Sequence, residues 1–298
     1  MLFNKSGKGS LEIYEIAGNF PASTPFESIK NEVLDAEKIV GDLIGTEIMK
    51  AAQEAYDNEN QEEGKQLIDA IRRPVACLAV QMHSQLSGVS HGEGGRKIKV
   101  DENEKIPFEW MIDRDDKAMK ERYYRALDGL FHFLSQEENS ELWNKCPLSA
   151  TLSSCIVKTV AQFETVYPID GSHYTFYKIL PLMIEAQDSL QSKTGWDPEQ
   201  MSANKKAVKY VVLSALATAL KRWSIVIFPQ SIARQFAPSY QGNRETSAAT
   251  MKEISFAADN FLKDANDTLQ TIRQAISPTS EAAALLPDND PKDKFFTA

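Results

Sequence analysis

The chain predicts an all-α protein built from two pseudo-repeated helical bundle domains, with a short extended arm or hairpin in the first. Three observations lead there. Apolar residues recur at i, i+3/i+4 spacing through most of the 298 residues, only one long stretch alternates in the manner of strands, and the order of elements repeats. A chain of this length fits two domains of roughly 150 residues each, so two cores are expected. The domains are placed at 1–148 and 149–277, with a flexible C-terminal tail at 278–298.

After a short leader, Phe26, Ile29, Val33, Ala36, Val40, Leu43 and Ile44 form an amphipathic stripe within 26–56. The acidic run 57–64 interrupts it, and a second stripe follows at Leu67, Ile71, Val75, Leu78, Ala79, Met82 and Leu86. Pro74 lies inside that stripe, so it either kinks the helix or begins a new one. From Gly88 to Pro107 the glycines and the alternation of apolar and charged residues predict an exposed hairpin or extended arm. Helical spacing returns at Met119, Tyr123, Ala126, Leu127, Leu130, Phe131 and Leu134, in a helix expected to start near Lys117. Asp115 and Asp116 would then sit at its N-terminal end, where acids favour the helix dipole.

The second half presents stripes at Phe176–Leu190, Ala203–Ser224 and Thr246–Ile276. At a constant offset of 150, Phe26 matches Phe176, Ile29 matches Ile179, Ala36 matches Ala186 and Gly45 matches Gly195, which is four identities in twenty positions. Each half thus offers a helix, a long helix, a non-helical connection and a last helix. A duplication is the expectation.

Charge and cysteine content narrow the function. The net charge of −9 lies wholly in residues 1–150, which hold 18 Lys/Arg against 27 Asp/Glu, while the rest holds 15 of each. An acidic half and a single basic cluster (Lys205, Lys206, Lys209, Lys221, Arg222) argue against a broad nucleic-acid face, and a solvated lysine face explains the cluster. The N-terminus has no apolar signal core, and the longest uncharged apolar run, Val211–Leu220, falls short of the roughly 20 residues that cross a bilayer. Neither export nor a membrane is expected. Cys77, Cys146 and Cys155 include no CxxC pair and read as reduced structural thiols.

No catalytic constellation emerges. Ser6–Ser10 (SGKGS) lacks the glycine spacing of a phosphate loop, and His91 with Gly92, Gly94 and Gly95 reads as a mobile loop. His83, His132 and His173 stand in separate segments and define neither a triad nor a metal set. Tyr123, Tyr124, Phe131, Phe133, Tyr174, Phe176 and Tyr177 fall in or beside helical stripes, which predicts packing. The chain is expected not to be an enzyme and to hold no cofactor. The arm and the tail remain, and both have shapes that partner binding uses.

Residues 156–190 resemble a segment in proteins of about this length carried by phages and prophages of Bacteroidetes, through Phe163, Tyr167, Pro168, Ile169, Thr175, Phe176 and Pro181. In its order of parts, the first half from Phe26 to Leu134 looks like the helical head-tail connector (adaptor) proteins of tailed phages. Gly95-Arg96 and the arm from Lys97 to Phe108 stand where that family has its projecting loop. Typical adaptors are about half this long, with one such unit. The resemblance implies a virion protein, assembled in the bacterial cytoplasm, that joins portal and tail or neck proteins in a homo-oligomeric ring. It implies partner contacts at Arg96, Lys97 and Lys99 in the arm and at Phe295 and Phe296 in the tail. An acidic first half would suit a channel through which DNA slides without sticking. The rival reading is a cytoplasmic helical module that binds a partner helix or peptide in a cleft between the halves.

Overall fold

The computed structural model describes residues 1–58, 62–87, 90–92, 95–97, 108–222, 234–236, 246–248 and 250–276. The fold is all-α. In chain order the helices are α1 (Gly9–Ala17), α2 (Lys30–Ile44), α3 (Thr46–Asp57) and α4 (Glu62–Ser87), followed by strands β1 (Ser90–Gly92) and β2 (Gly95–Lys97). Then come α5 (Glu109–Leu134), α6 (Ser140–Lys145), α7 (Pro147–Ser154), α8 (Val160–Glu164), α9 (His173–Thr194), α10 (Pro198–Ser202) and α11 (Lys205–Arg222). Strands β3 (Arg234–Phe236) and β4 (Thr246–Ala248) precede the last helix, α12 (Met251–Ile276). Each strand pair is antiparallel, β1 with β2 and β3 with β4.

In each half the second long helix lies between the first and the last. Helix α4 packs against both α2 and α5, and α11 against both α9 and α12. The central position explains the composition of α11, where Ala207, Val208, Tyr210, Val211, Val212, Leu213 and Leu216 are all buried. A helix covered on two sides needs apolar residues around most of its circumference. The outer helix α2 buries one stripe, Val33, Ala36, Val40 and Ile44, and leaves Leu34 and Ile39 exposed.

Several boundaries depart from the sequence expectation. The stretch 26–56 is not one helix. A 3-10 turn at Phe26–Ser28 precedes α2, and the chain breaks at Gly45, whose φ of 97° and ψ of 151° no helix accommodates. The leader holds α1, which docks on α4 through the buried Ile13 and Ala17. Helix α4 runs through Pro74 without ending. Helix α5 begins at Glu109 and not near Lys117, so Asp115 and Asp116 lie in its second turn and do not cap it. The last helix begins at Met251, and Thr246–Ala248 is strand β4.

Length suggested two cores. One buried apolar cluster instead runs from Leu2 to Ile272 and includes side chains on both sides of residue 148, with α2 packing on α7 and α5 on α9. At the outer end of α11 and α12 a small satellite of Leu220, Ile254 and Ala258 is separate from it. The aromatic residues do serve packing: Phe131 stacks with Tyr177 at 5.0 Å between ring centres, Tyr124 with Tyr174 at 5.0 Å, and Phe176 meets Phe163 edge-on at 6.1 Å. The basic cluster of α11 is exposed, with Lys221 paired to Asp259 at 2.8 Å and Arg222 to Glu185 at 2.6 Å. At the surface such pairs contribute little to stability.

Candidate functional site

The segment that joins α4 to α5 carries the clearest interaction features. Its β1–β2 hairpin pairs His91 with Arg96 and Ser90 with Lys97, so Arg96 and Lys97 lie on one strand of an extended two-stranded element. Lys99, like the tail residues Phe295 and Phe296, lies outside the described residues. Where the chain re-enters the described region, Phe108 is 67% exposed, and Trp110, Met111 and Ile112 are 41%, 41% and 47% exposed. Four large apolar side chains are thus exposed within five residues at a helix start, a density of exposed apolar surface that partners cover. Sequence reasoning missed it, because apolar residues beside a helix read by default as core. The one sequence signal was that Phe108–Ile112 falls outside the stripe beginning at Met119.

A second surface is a groove of about 920 Å³ between α1, α4 and α5, lined by Glu15, Asp69, Arg73, Arg122, Arg125 and Leu130 among others. It lies within the first half, not between the halves. Arg122 donates to the Ile16 carbonyl at 3.3 Å across it, tying α5 to α1.

The residues weighed for chemistry have structural partners. Asn4 Oδ1 accepts the Gly9 N–H at 3.0 Å, and a side chain at Gly9 would collide with the Phe26 ring, so Gly9 and Ser10 are the packed start of α1 while Ser6–Lys8 are exposed. His83 meets Phe20 edge-on at 5.5 Å and lies 3.9 Å from Glu32. The three cysteines are free and buried, and burial pushes each thiol above its usual range, which suppresses the reactive thiolate. Among the described residues no group of three or more His, Cys, Asp or Glu is placed to hold a metal ion. No helix among them is long and apolar enough to cross a membrane.

His132 and His173 come together at the α5–α9 junction, 5.3 Å between ring centres. Beside them Asp128 accepts the Tyr174 N–H at 2.7 Å and the Ser172 hydroxyl at 3.1 Å, capping α9 from α5. Burial lowers the His173 pKa, His132 lowers it further, and Glu164 opposes both. Because the folded value lies below the unfolded one, neutral His173 contributes stability above the ordinary histidine range, and that contribution is lost as pH falls through the lowered folded pKa. Glu37 and Asp128 act in the opposite sense: burial raises both carboxyls, so their contribution is lost as pH rises. The expected result is that His173→Gln loses less stability than the parent chain between pH 7 and pH 5. Urea midpoints measured for both proteins across that range check it, and parallel curves would refute it.

Comparison with protein-family models, with curated proteins and with solved structures gives no match.

Proposed function

We propose that this chain is a structural virion protein, a head-tail connector of a tailed bacteriophage that joins portal and tail in a ring. The observation that carries the reading is the antiparallel hairpin between two long helices that pack on each other, β1–β2 between α4 and α5. It stands in the order of parts through which the sequence resembles connectors, and Gly95 and Arg96 lie on its second strand. The exposed apolar residues of Phe108–Ile112, which follow the hairpin in the chain, supply side chains suited to a protein partner. The acidic balance of residues 1–150 suits a surface that passing DNA does not bind.

A helical peptide-binding module is the second reading, and the groove between α1, α4 and α5 favours it. Its three arginines outnumber Glu15 and Asp69, and Ile16, Met119 and Leu130 add apolar surface, which suits a partly apolar segment with some acidic residues.

A pull-down against the products of the genes that neighbour this one separates the two. Full-length protein should capture a portal or tail protein. Capture should weaken when Trp110 and Met111 are changed to glutamate, or when the chain is truncated after Ser277. Failure of all forms to capture any virion protein would overturn the connector reading and leave the module.

A further inference from the structure

The two halves correspond residue by residue where they form their first helices. At the offset of 150, Phe26, Ile29, Val33, Ala36 and Val40 and their counterparts Phe176, Ile179, Met183, Ala186 and Leu190 are all buried. The pairs 31/181, 35/185 and 38/188 are all exposed. A buried polar residue recurs too. Glu37 accepts the backbone N–H of Leu2 at 2.5 Å, and Gln187 accepts that of Ile156 at 2.7 Å. Each clasps an extended strap whose side chains, Leu2 and Phe3 or Ile156 and Val157, enter the core. Both helices end on a glycine of positive φ, Gly45 and Gly195. The last helices, α5 and α12, have the same length of 26 residues. At an offset of 142, Tyr123, Ala126, Leu127 and Leu130 align with the equally buried Ala265, Thr268, Leu269 and Ile272.

The halves differ at several positions, Ile112 being exposed where Ile254 is buried, and one set of differences lies where they meet. Phe131 and Leu134 are buried on α5, whereas their counterparts Arg273 and Ile276 are exposed on α12. Tyr177 is buried on α9, whereas its counterpart Glu27 is exposed, and Leu34 is 45% exposed where Ile184 is half-buried. Phe131 and Tyr177 meet at a tilt where α5 of the first half meets α9 of the second, and Trp143 also lies against Tyr177.

We infer that the halves are copies of one unit and that the chain associates head to tail with a second copy of itself, α12 of one packing on the Phe26–Ile44 segment of the next as α5 packs on α9. Register places Arg273 opposite Glu27 of the neighbouring copy, a cation facing a carboxylate whose side chain is 73% exposed and pairs with Lys30, three residues on. Such a contact is heterologous, so it repeats from copy to copy and closes into a ring if the rotation per step allows. In naming the surface between neighbours in a ring the inference rests on the connector reading, while its support is the internal register.

The test mixes two separately tagged chains, Glu27→Cys and Arg273→Cys, under mild oxidation at high concentration; the three native cysteines are buried. Disulfide-linked heterodimers of the two tags should greatly exceed homodimers of either. In sedimentation, Arg273→Glu should weaken association about tenfold, and adding Glu27→Arg should restore it. Homodimers at parity with heterodimers, or no linked dimer at the highest concentration reached, would overturn the inference. Portal capture is scored separately: its loss with cross-linking intact removes the connector reading alone, and its persistence without cross-linking removes this inference alone.

Discussion

Phe131→Ala lowers the free energy of unfolding by about 3–5 kcal/mol, as expected of a large aromatic side chain removed from a filled core. Phe131 is 1% exposed on α5 and stacks on Tyr177 of α9, and Tyr177 also meets Trp143 at 5.4 Å between ring centres. The truncation therefore empties the place where the halves join. Because the buried cluster is continuous there, both halves should lose stability together, with far-UV and near-UV signals shifting to the same lower urea midpoint. Phe131→Leu keeps most of the volume and should cost clearly less. A loss below about 1 kcal/mol for the alanine variant would mean that the junction is not packed as described.

Gly45→Ala is the other large effect. With φ 97° and ψ 151°, Gly45 occupies a region essentially closed to residues with a Cβ, and the strain alone is about 1–3 kcal/mol. An added Cβ would also lie 2.8 Å from Pro147 Cδ and 3.3 Å from its Cγ, so α7 would have to move away from the end of α2. Overpacking of this kind costs about 1–3 kcal/mol more. Gly195 provides the control. It ends α9 at φ 72° and ψ 7°, and a Cβ there meets nothing within 4 Å. Gly195→Ala should therefore cost only the left-handed backbone penalty of about 1–2 kcal/mol. Thermal melts of the two variants separate the terms, and equal losses would show that the Pro147 contact contributes nothing.

The interaction features were legible in unequal degree. A hairpin or arm between Gly88 and Pro107 was readable from local signals, but His91 and Gly92, which read as a mobile loop, stand on strand β1, and most of the alternating stretch lies outside the described residues. The exposure of Phe108–Ile112 was not readable, because Trp110 and Met111 would look the same in sequence if a neighbouring helix covered them. The same limit hid the start of α5. Its first turns bury no stripe, so periodicity becomes visible only at Met119, where α5 begins to pack. The break at Gly45 was missed for another reason: the apolar spacing runs through it, and only the approach of Pro147 shows why the chain turns there. The groove joins residues of α1, α4 and α5 that are far apart in sequence, so no local pattern announces it.

The sequence by itself determined the all-α class and the two central helices, because helical period and turn residues are properties of neighbours along the chain. Tertiary structure alone decided that one core serves both halves and that Tyr177 is covered while Glu27 is bare. The physical reason is that burial depends on every group that comes near in space. Positions with the same helical register can thus meet opposite environments, as Tyr177 and Glu27 do.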